Sequence, residues 1–382
     1  MQQDPWHFPR PEFTEQVLST LTRGPAQALT LFAPRRTGKT EFLLKDLAPL
    51  AEAREHPVIY ASFWQTPFSP LGVLLHELET WLTGAGFHER MRSAATALAP
   101  KLRLSAAPFG VGVEAEVDLS ALRGTPPDSL LLHLDGLLER VSRRGRPAIL
   151  LLDEVQELAR RPQNEALVAA LRTSLDRRSD RLRGVFTGSS REGLAAMFSA
   201  RTAPFFHFAS QIELPVLGDG FVHHLIRAFR AASGRALPPA EMLSAFHGMR
   251  RSPFVFRTLL DVLLHDPALP VEAAMDEVRT RIAASLDYSR VWLSLSPLQR
   301  ATAGVLATDL DRPFTREFRA AVGAWLQETP PSAGRIQGAL RRLVRLDLAD
   351  ATANGWMLAD PEFAAWVRET GREVPPEGSE PE

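Results

Sequence analysis

The chain contains no cysteine. Disulfide bonds, thiolate zinc sites and cysteine nucleophiles are therefore excluded. The sequence also has no run of about 18 apolar residues, the length that a membrane-spanning helix needs. Because no charged and then apolar leader precedes the first helical pattern, a cytoplasmic location is expected.

Net charge is nearly absent as well. A formal charge of −1 at pH 7 argues against attachment of the whole surface to nucleic acid or to an anionic membrane, but it leaves a local basic face open. A hydrophobic content of 45% and a charged content of 23% are typical of a globular protein. A length of 382 residues is enough for two or three domains.

Lysine is scarce, with only Lys39, Lys45 and Lys101 among 44 basic residues. Lys39 follows an apolar run at 28–32 and precedes a helical pattern, an order that predicts a phosphate-binding loop between a strand and a helix. In such a loop backbone N–H groups face the phosphates of a nucleotide, Lys39 reaches the β- and γ-phosphates, and the hydroxyl of Thr40 ligates Mg²⁺. A compact ammonium group suits that position better than a planar guanidinium. The predicted nucleotide-binding residues of the segment are Ala33, Pro34, Arg35, Arg36, Thr37, Gly38, Lys39, Thr40 and Glu41.

Two adjacent acids, Asp153 and Glu154, end an apolar strand pattern at 148–152. Ligands of open α/β sheets bind at the carboxyl ends of the strands. Either acid alone would be typical of a solvated strand end, whereas the pair downstream of a phosphate loop predicts a catalytic role. We expect Asp153 to hold Mg²⁺ through water and Glu154 to polarise the attacking water.

A further short strand pattern at 184–188 leads to Ser190 and Arg191. If this strand lies between the strand at 28–32 and the strand at 148–152, its end faces the γ-phosphate. Both residues are therefore candidates for sensing that phosphate. The predicted catalytic residues are therefore Lys39, Glu154, Ser190 and Arg191. Arg201 precedes the last strand candidates, at 205–208 and 212–214. It is either an arginine finger toward a neighbouring subunit or a charge at a helix end.

The N-terminal segment carries Trp6 and Phe8 in a proline-rich context. It either covers an adenine ring or packs these aromatic residues on the core. Alternating apolar and polar residues at 102–119 predict a hairpin with an acidic outer face, which is either a ribbon for protein contacts or a cover strand.

We expect four regions along the chain. Residues 1–217 form the core, with the hairpin insertion, and 218–290 form a helical lid. Three helical patterns and an Asn-Gly turn at 291–371 predict a winged helix-turn-helix, and the tail at 372–382 is expected to be disordered. The lid arginines that are alternative candidates for a phosphate contact are Arg250, Arg251 and Arg257.

The motifs PRRTGKT at 34–40, DEVQ at 153–156 and GSSR at 188–191, followed by a helical lid and a winged helix, are similar to those of a known family. The chain resembles the AAA+-related P-loop ATPases of the archaeal-type ATPase and STAND group, relatives of the origin-recognition ATPases, over roughly residues 8 to 370. The resemblance implies an α/β fold with a parallel sheet of order 5-1-4-3-2, an α-helical lid and a C-terminal winged helix-turn-helix domain. It also implies ATP or ADP with Mg²⁺ as cofactors and a conformational switch driven by ATP binding and hydrolysis.

The resemblance extends to Phe8, Arg10 and Glu12, which loosely match the family's N-terminal nucleotide-covering segment. The sequence departs from the family at Ala33, where Gly is commoner, and at 207–208, which stand near the usual Gly-Arg. It departs again in the lid at Arg251, where Gly is often found two residues before a proline.

Three functions are compatible with these features. The first is an ATP-hydrolysing switch that moves the lid and the winged helix. The second is a DNA-binding ATPase whose helix at 332–345 enters the major groove, and the third is a nucleotide-bound protein-interaction module with negligible turnover. The partner is accordingly a protein client or DNA, and assembly with nucleotide is left open. The arginines that would face DNA are Arg335, Arg341, Arg342 and Arg345.

Overall fold

The computed structural model divides the chain into two compact units, and the division falls inside a helix between Ala228 and Phe229. The residues that the structure describes are 4–34, 36–64, 69–84, 127–159, 162–189, 191–198, 203, 205–206, 208–285, 288–308, 310–346, 348–352 and 355–369. None of the helices in these ranges is long and apolar enough to cross a lipid bilayer.

The first unit is built on a five-stranded parallel sheet. Its strands are β1 (Ala28–Phe32), β2 (Val58–Ser62), β3 (Ala148–Asp153), β4 (Leu182–Gly188) and β5 (Ala209–Glu213). The spatial order is β2-β3-β4-β1-β5, and all four neighbouring pairs are parallel. The predicted order 5-1-4-3-2 is therefore confirmed.

Helices cover both faces of this sheet. The helical elements in this part of the chain are α1 (Pro11–Arg23), α2 (Lys39–Glu41), a π-helix (Phe42–Leu47), α3 (Ala48–Ala53), α4 (Pro70–Leu82), α5 (Pro127–Ser142), α6 (Gln156–Ala159), a 3₁₀ turn (Pro162–Asn164), α7 (Glu165–Arg177), α8 (Arg191–Phe198) and α9 (Asp219–Ser233), the helix in which the division between the units falls.

The alternation of side chains along β3 shows why two helical layers are needed. Ile149 and Leu151 join the core formed with α1, the π-helix and α3. Leu150 and Leu152 join the core formed with α4, α5 and α7. All four side chains are fully buried, as expected for the continuous apolar strands of a parallel sheet.

One predicted strand, at 205–208, is wrong for the residues described there. Phe205 and Phe208 lie in turns, and their ring centroids are 5.2 Å and 6.3 Å from that of Phe186. Phe198 joins the same cluster. An aromatic run fits either a strand or a core-packing turn, and in this chain the rings fill the core below β4.

The second unit is mainly helical. Its elements are α10 (Pro239–Gly248), α11 (Pro253–His265), α12 (Val271–Ser285), α13 (Tyr288–Leu293), α14 (Pro297–Leu306), α15 (Arg316–Leu326), α16 (Ala333–Arg345), β6 (Ala349–Thr352), β7 (Gly355–Leu358) and α17 (Pro361–Glu369). The strands β6 and β7 form an antiparallel hairpin after α16. Three helices, α14 to α16, precede this hairpin, and the winged helix expected at 291–371 stays a prediction.

The turn between α10 and α11 contains Arg251, which stands where the sequence resemblance leads us to expect glycine. Arg250 and Arg251 have φ values of 50° and 58°, in the left-handed region that glycine adopts most readily. Ser252 then caps α11 by accepting a hydrogen bond from the N–H of Val255. The backbone conformation that would favour glycine is therefore present, but an arginine adopts it.

Several predictions lie outside the described residues. They are the hairpin at 102–119, the two alternative roles of Arg201 as an arginine finger or a charge at a helix end, and the prediction of a disordered tail at 372–382. The predicted boundaries at 217/218 and 290/291 stay predictions.

A buried arginine links α5 to the loop before β4 in the first unit. The side chain of Arg178 is 7% exposed, and its guanidinium donates to Asp135 Oδ1 and Glu139 Oε2, each at 2.7 Å. Asp135 also accepts a hydrogen bond from Ser174. The hydrogen bond from Arg178 is the main reason why the pKa of Asp135 falls to about 2. The network therefore fixes α5 to α7.

Replacing Arg178 with methionine (R178M) should destabilise the first unit, because two carboxylates lose their partner. We expect the thermal unfolding midpoint to fall by about 5 °C. The matched control R143M removes a 77% exposed arginine that pairs with the same Glu139, and its shift should stay below about 1 °C. Equal shifts in the two variants would contradict a structural role for the buried network.

The same network should contribute less to stability in acid. Because the pKa of Asp135 is lowered in the folded chain, its contribution is present above about pH 4 and is lost as the pH falls toward about 2. The difference in unfolding free energy between wild type and R178M should therefore narrow over that range. Urea titrations at pH 7, 4 and 3 would measure it.

Candidate functional site

The segment predicted to bind phosphates forms a loop between β1 and α2. Lys39 is 5% exposed, and its Nζ donates to the backbone carbonyls of Ala33 (2.8 Å) and Pro34 (3.0 Å). Thr37 Oγ1 also donates to the Pro34 carbonyl, at 2.7 Å. The ammonium group is therefore folded over the loop rather than directed to solvent.

The backbone of the loop explains its glycine. Gly38 has φ 89°, a left-handed conformation that would strain a residue with a Cβ, and Arg36 has φ 64°. Ala33 is absent from the positive-φ positions, and its methyl group is 3% exposed in the core with α1 and α3. An alanine at position 33 is therefore compatible with the loop geometry.

Residues from three strands and one helix meet at the carboxylate of Asp153. It is 2% exposed at the end of β3. Oδ2 accepts hydrogen bonds from Thr40 (2.7 Å) and Tyr60 (3.1 Å), and Oδ1 accepts hydrogen bonds from Thr187 and from the N–H of Glu154 (3.1 Å). Thr40 of the phosphate loop and Asp153 of the acidic pair are thus in direct contact.

Two of these donors, Tyr60 and Thr187, were not predicted from sequence. Burial raises the pKa of Tyr60 well above its usual value, and the nearby Asp153 carboxylate raises it further, so the phenol stays protonated and donates. The available signal was a hydroxyl group within a largely apolar strand pattern. That signal could identify a buried hydrogen bond but could not name its partner.

Glu154 lies beside Asp153 but faces different partners. Its Oε2 accepts hydrogen bonds from Ser189 Oγ (2.7 Å) and from Gln156 Nε2. The Gln156 amide also contacts Ser189 Oγ at 3.3 Å. Glu154 is 9% exposed and has φ 56°, so a strained turn places this carboxylate at the end of the strand.

The N-terminal arm lies against the loop and its helix. Arg10 donates to the carbonyl of Thr37 at 3.4 Å, and His7 Nε2 lies 2.8 Å from Asp46 Oδ1. The Phe8 ring packs edge-on against Phe221, with centroids 5.9 Å apart. Of the two interpretations left open from sequence, packing of Phe8 on the core is what the structure contains, and a nucleotide-covering role stays a prediction.

The remaining predicted site residues are less informative. Glu41 pairs with Lys45 at 3.1 Å on the helix surface. Arg35, Ser190 and Arg201 lie outside the described residues, as does the side chain of Arg191. The lid candidates Arg250, Arg251 and Arg257 belong to the second unit, and their contact with phosphate stays a prediction.

The residues present fit a nucleotide with Mg²⁺. The left-handed Gly38 ends the loop immediately before α2, so that backbone N–H groups precede a helix, which is the geometry that receives phosphate oxygens. A hydroxyl and a carboxylate, from Thr40 and Asp153, are the hard oxygen donors that Mg²⁺ prefers. Within the described ranges no three His, Asp or Glu side chains are grouped to hold a metal by themselves. The ion would therefore depend on phosphate and water oxygens as well.

The order of the strands, the loop after β1 and the acidic end of β3 together define the class of fold: the chain has the fold of a P-loop NTPase.

No protein-family model matches the sequence, and no curated protein matches it. Solved structures do match. A Walker-type ATPase of Pyrococcus abyssi has 17% identity and a TM-score of 0.63, over 96% of this chain and 100% of that one.

A second similar structure is the ORC2 protein of Aeropyrum pernix in its ADPNP and ADP complexes. It has 15% identity and a TM-score of 0.56, over 94% of this chain and 90% of that one. At these identities the likeness establishes the fold. It covers both units, so the second unit also has a counterpart in each of these proteins.

Replacing Tyr60 with phenylalanine (Y60F) removes one hydroxyl donor from Asp153 while keeping the ring. We expect the Mg²⁺ concentration for half-maximal binding of a fluorescent ATP analogue to rise roughly tenfold, as for other groups that orient a metal ligand. Binding measured in EDTA should change little. The matched control is Y288F, which removes a similar bond, 3.0 Å to Asp360, in the second unit. If Y60F and Y288F behave alike, Tyr60 does not orient the metal ligand.

Proposed function

We propose that this protein is an AAA+-type ATPase that binds ATP with Mg²⁺ and hydrolyses it to drive a conformational switch. The observation that carries the proposal is the contact between Thr40 of the phosphate loop and Asp153 of the acidic pair, with Glu154 next to it. The shared fold with a Walker-type ATPase supports it.

The chain's own residues divide the work between binding and water activation. Lys39 is placed over the loop carbonyls, from which its ammonium can turn to the β- and γ-phosphate oxygens. Thr40 and Asp153 would hold Mg²⁺, which supplies positive charge against the charge that develops on the phosphates. Glu154 would accept the proton of the attacking water.

The coupling to movement is proposed to run through the second unit. The division between the units falls inside α9, so one continuous helix joins the nucleotide-binding unit to the lid helices α10 to α12. The sequence resemblance to ATPases of the archaeal-type ATPase and STAND group, which implies a switch driven by ATP binding and hydrolysis, supports this proposal. The protein is proposed to act in the cytoplasm on a protein client or on DNA.

Two substitutions separate binding from turnover. Replacing Lys39 with alanine (K39A) should weaken nucleotide binding about 100-fold, because the charge on the phosphates loses its partner. Replacing Glu154 with glutamine (E154Q) should keep binding and lower ATP turnover at least about 100-fold. Isothermal titration and a steady-state phosphate-release assay measure the two quantities.

The matched control for K39A is K45A, which removes a neighbouring lysine that pairs with Asp4 and Glu41 on the helix surface. Its binding and turnover should match those of wild type. Equal turnover in wild type, K39A and E154Q would contradict hydrolysis. Tight ADP retention without turnover would instead support the nucleotide-bound interaction module.

A second candidate function, DNA binding through a winged helix, is favoured by the surface of α16. Its buried side is apolar, while the arginines of the other side are all exposed. In the described part of the chain none of these arginines pairs with a carboxylate. A basic helix face of this kind suits phosphate contacts beside a major groove. The arginines are Arg335, Arg341, Arg342 and Arg345.

Charge reversal of two of these arginines (R341E with R342E) tests the DNA proposal. We expect duplex affinity to fall at least about tenfold and the slope of log affinity against log salt to decrease by about 2. The matched control reverses Arg279 and Arg281 on α12, which pair with Asp276 and Glu277. DNA affinity that does not depend on salt, or that survives the α16 change, would exclude this function.

A further inference from the structure

The strained turn at Glu154 folds the chain back on itself immediately after β3. Following the φ of 56°, Glu157 N–H bonds to the Glu154 carbonyl at 3.1 Å, and Leu158 N–H bonds to the Val155 carbonyl at 3.0 Å. The turn begins α6 and places Gln156, which is 3% exposed, beside the Glu154 carboxylate.

Three buried side chains then form a closed triangle of hydrogen bonds. The Gln156 amide nitrogen Nε2 donates to Glu154 Oε2 and also lies 3.3 Å from Ser189 Oγ. The Ser189 hydroxyl donates to the same Glu154 Oε2 at 2.7 Å. The Gln156 amide and the Ser189 hydroxyl therefore converge on a single oxygen of the Glu154 carboxylate.

The orientation of the Gln156 amide follows from this triangle. A reversed amide would place its oxygen against the carboxylate oxygen of Glu154, and neither atom could donate. The amide oxygen Oε1 therefore faces Gly188, where it is buried without a hydrogen-bond partner. It lies 2.6 Å from the position that a Cβ at residue 188 would occupy, so any residue other than glycine there would have to displace the amide.

We propose that Gln156 is a positioning residue that, together with Ser189, fixes the carboxylate of Glu154 for catalysis. Both described hydrogen bonds fall on Oε2, and this leaves Oε1 clear of the two donors and able to accept the proton of the attacking water. The inference rests on the proposed ATPase function. A buried carboxylate held at one oxygen keeps a single orientation, and proton acceptance needs such a fixed geometry.

A residue swap tests whether Gln156 holds Glu154 without any need for turnover. Q156E places two carboxylates in contact and should lower the thermal unfolding midpoint by about 5 °C or more. E154Q with Q156E restores one amide and one carboxylate in reversed positions. We expect the midpoint of the double variant to return to within about 2 °C of wild type.

Turnover distinguishes positioning from a purely structural role. The double variant should regain stability but not ATP hydrolysis, because the carboxylate has moved to the wrong residue. Q156L should lower kcat at least about tenfold and leave the Kd for ADP within about twofold. S189A should also lower kcat, whereas S189T, which keeps the hydroxyl, should restore most of it.

The matched control is N164L. Asn164 is a buried amide close to the same short helix, and it donates to the carbonyls of Glu157 and Leu158 without touching Glu154. N164L should lose stability but retain kcat.

The proposal is overturned if the destabilisation of Q156E persists in the double variant, or if Q156L and N164L lower kcat equally. If wild type shows no turnover at all, the ATPase function fails. The stability of the swap then still decides whether Gln156 holds Glu154.

Discussion

The candidate site depends on the hydrogen bonds that one buried carboxylate, that of Asp153, accepts. Removing a charged group from water is costly, and the cost is offset only when hydrogen-bond donors replace the lost water. Here the hydroxyls of Thr40, Tyr60 and Thr187 supply them, from α2, β2 and β4. The same bonds hold the phosphate loop and two strand ends against β3. The electrostatics of a single residue therefore fix the positions of the others.

Because the donors lie on neighbouring strands, the register between β2, β3 and β4 matters more for this site than the composition of the strands does. Ser62 is level with Asp153 across β2 and β3, and Leu152 is level with Phe186 across β3 and β4. Those alignments bring the Tyr60 phenol and the Thr187 hydroxyl to the carboxylate. A slip of one residue in either strand would turn the donors to the other face of the sheet.

The fold and the two central residues of the candidate site, Lys39 and Asp153, could be predicted from sequence, and the reason is physical. Lys39 and Asp153 belong to short segments whose strand, turn and helix can each be predicted from neighbouring residues in the sequence. The sheet order followed from the resemblance and not from any local pattern. Tyr60 and Gln156 could not be predicted because each acts through a partner that only the assembled sheet and the turn at Glu154 bring near.

Aromatic residues show the same limit in another way. The pattern at 205–208 suits an apolar strand, yet the rings of Phe205 and Phe208 pack below Phe186 instead. Which alternative forms is decided by the space that the neighbouring helices leave. Local pattern carries no information about that space.

The π-helical stretch after the phosphate loop (Phe42–Leu47) has a consequence for comparing this chain with others. Ala48 N–H bonds to the Leu43 carbonyl five residues back, so the stretch holds more residues per turn than an α-helix. The consecutive residues Lys45 and Asp46 both reach the N-terminal arm, at Asp4 and His7. Relative to a regular helix such a stretch behaves as an inserted residue. An alignment guided by hydrophobic spacing would run one position out of register beyond Leu47, even where the backbones coincide.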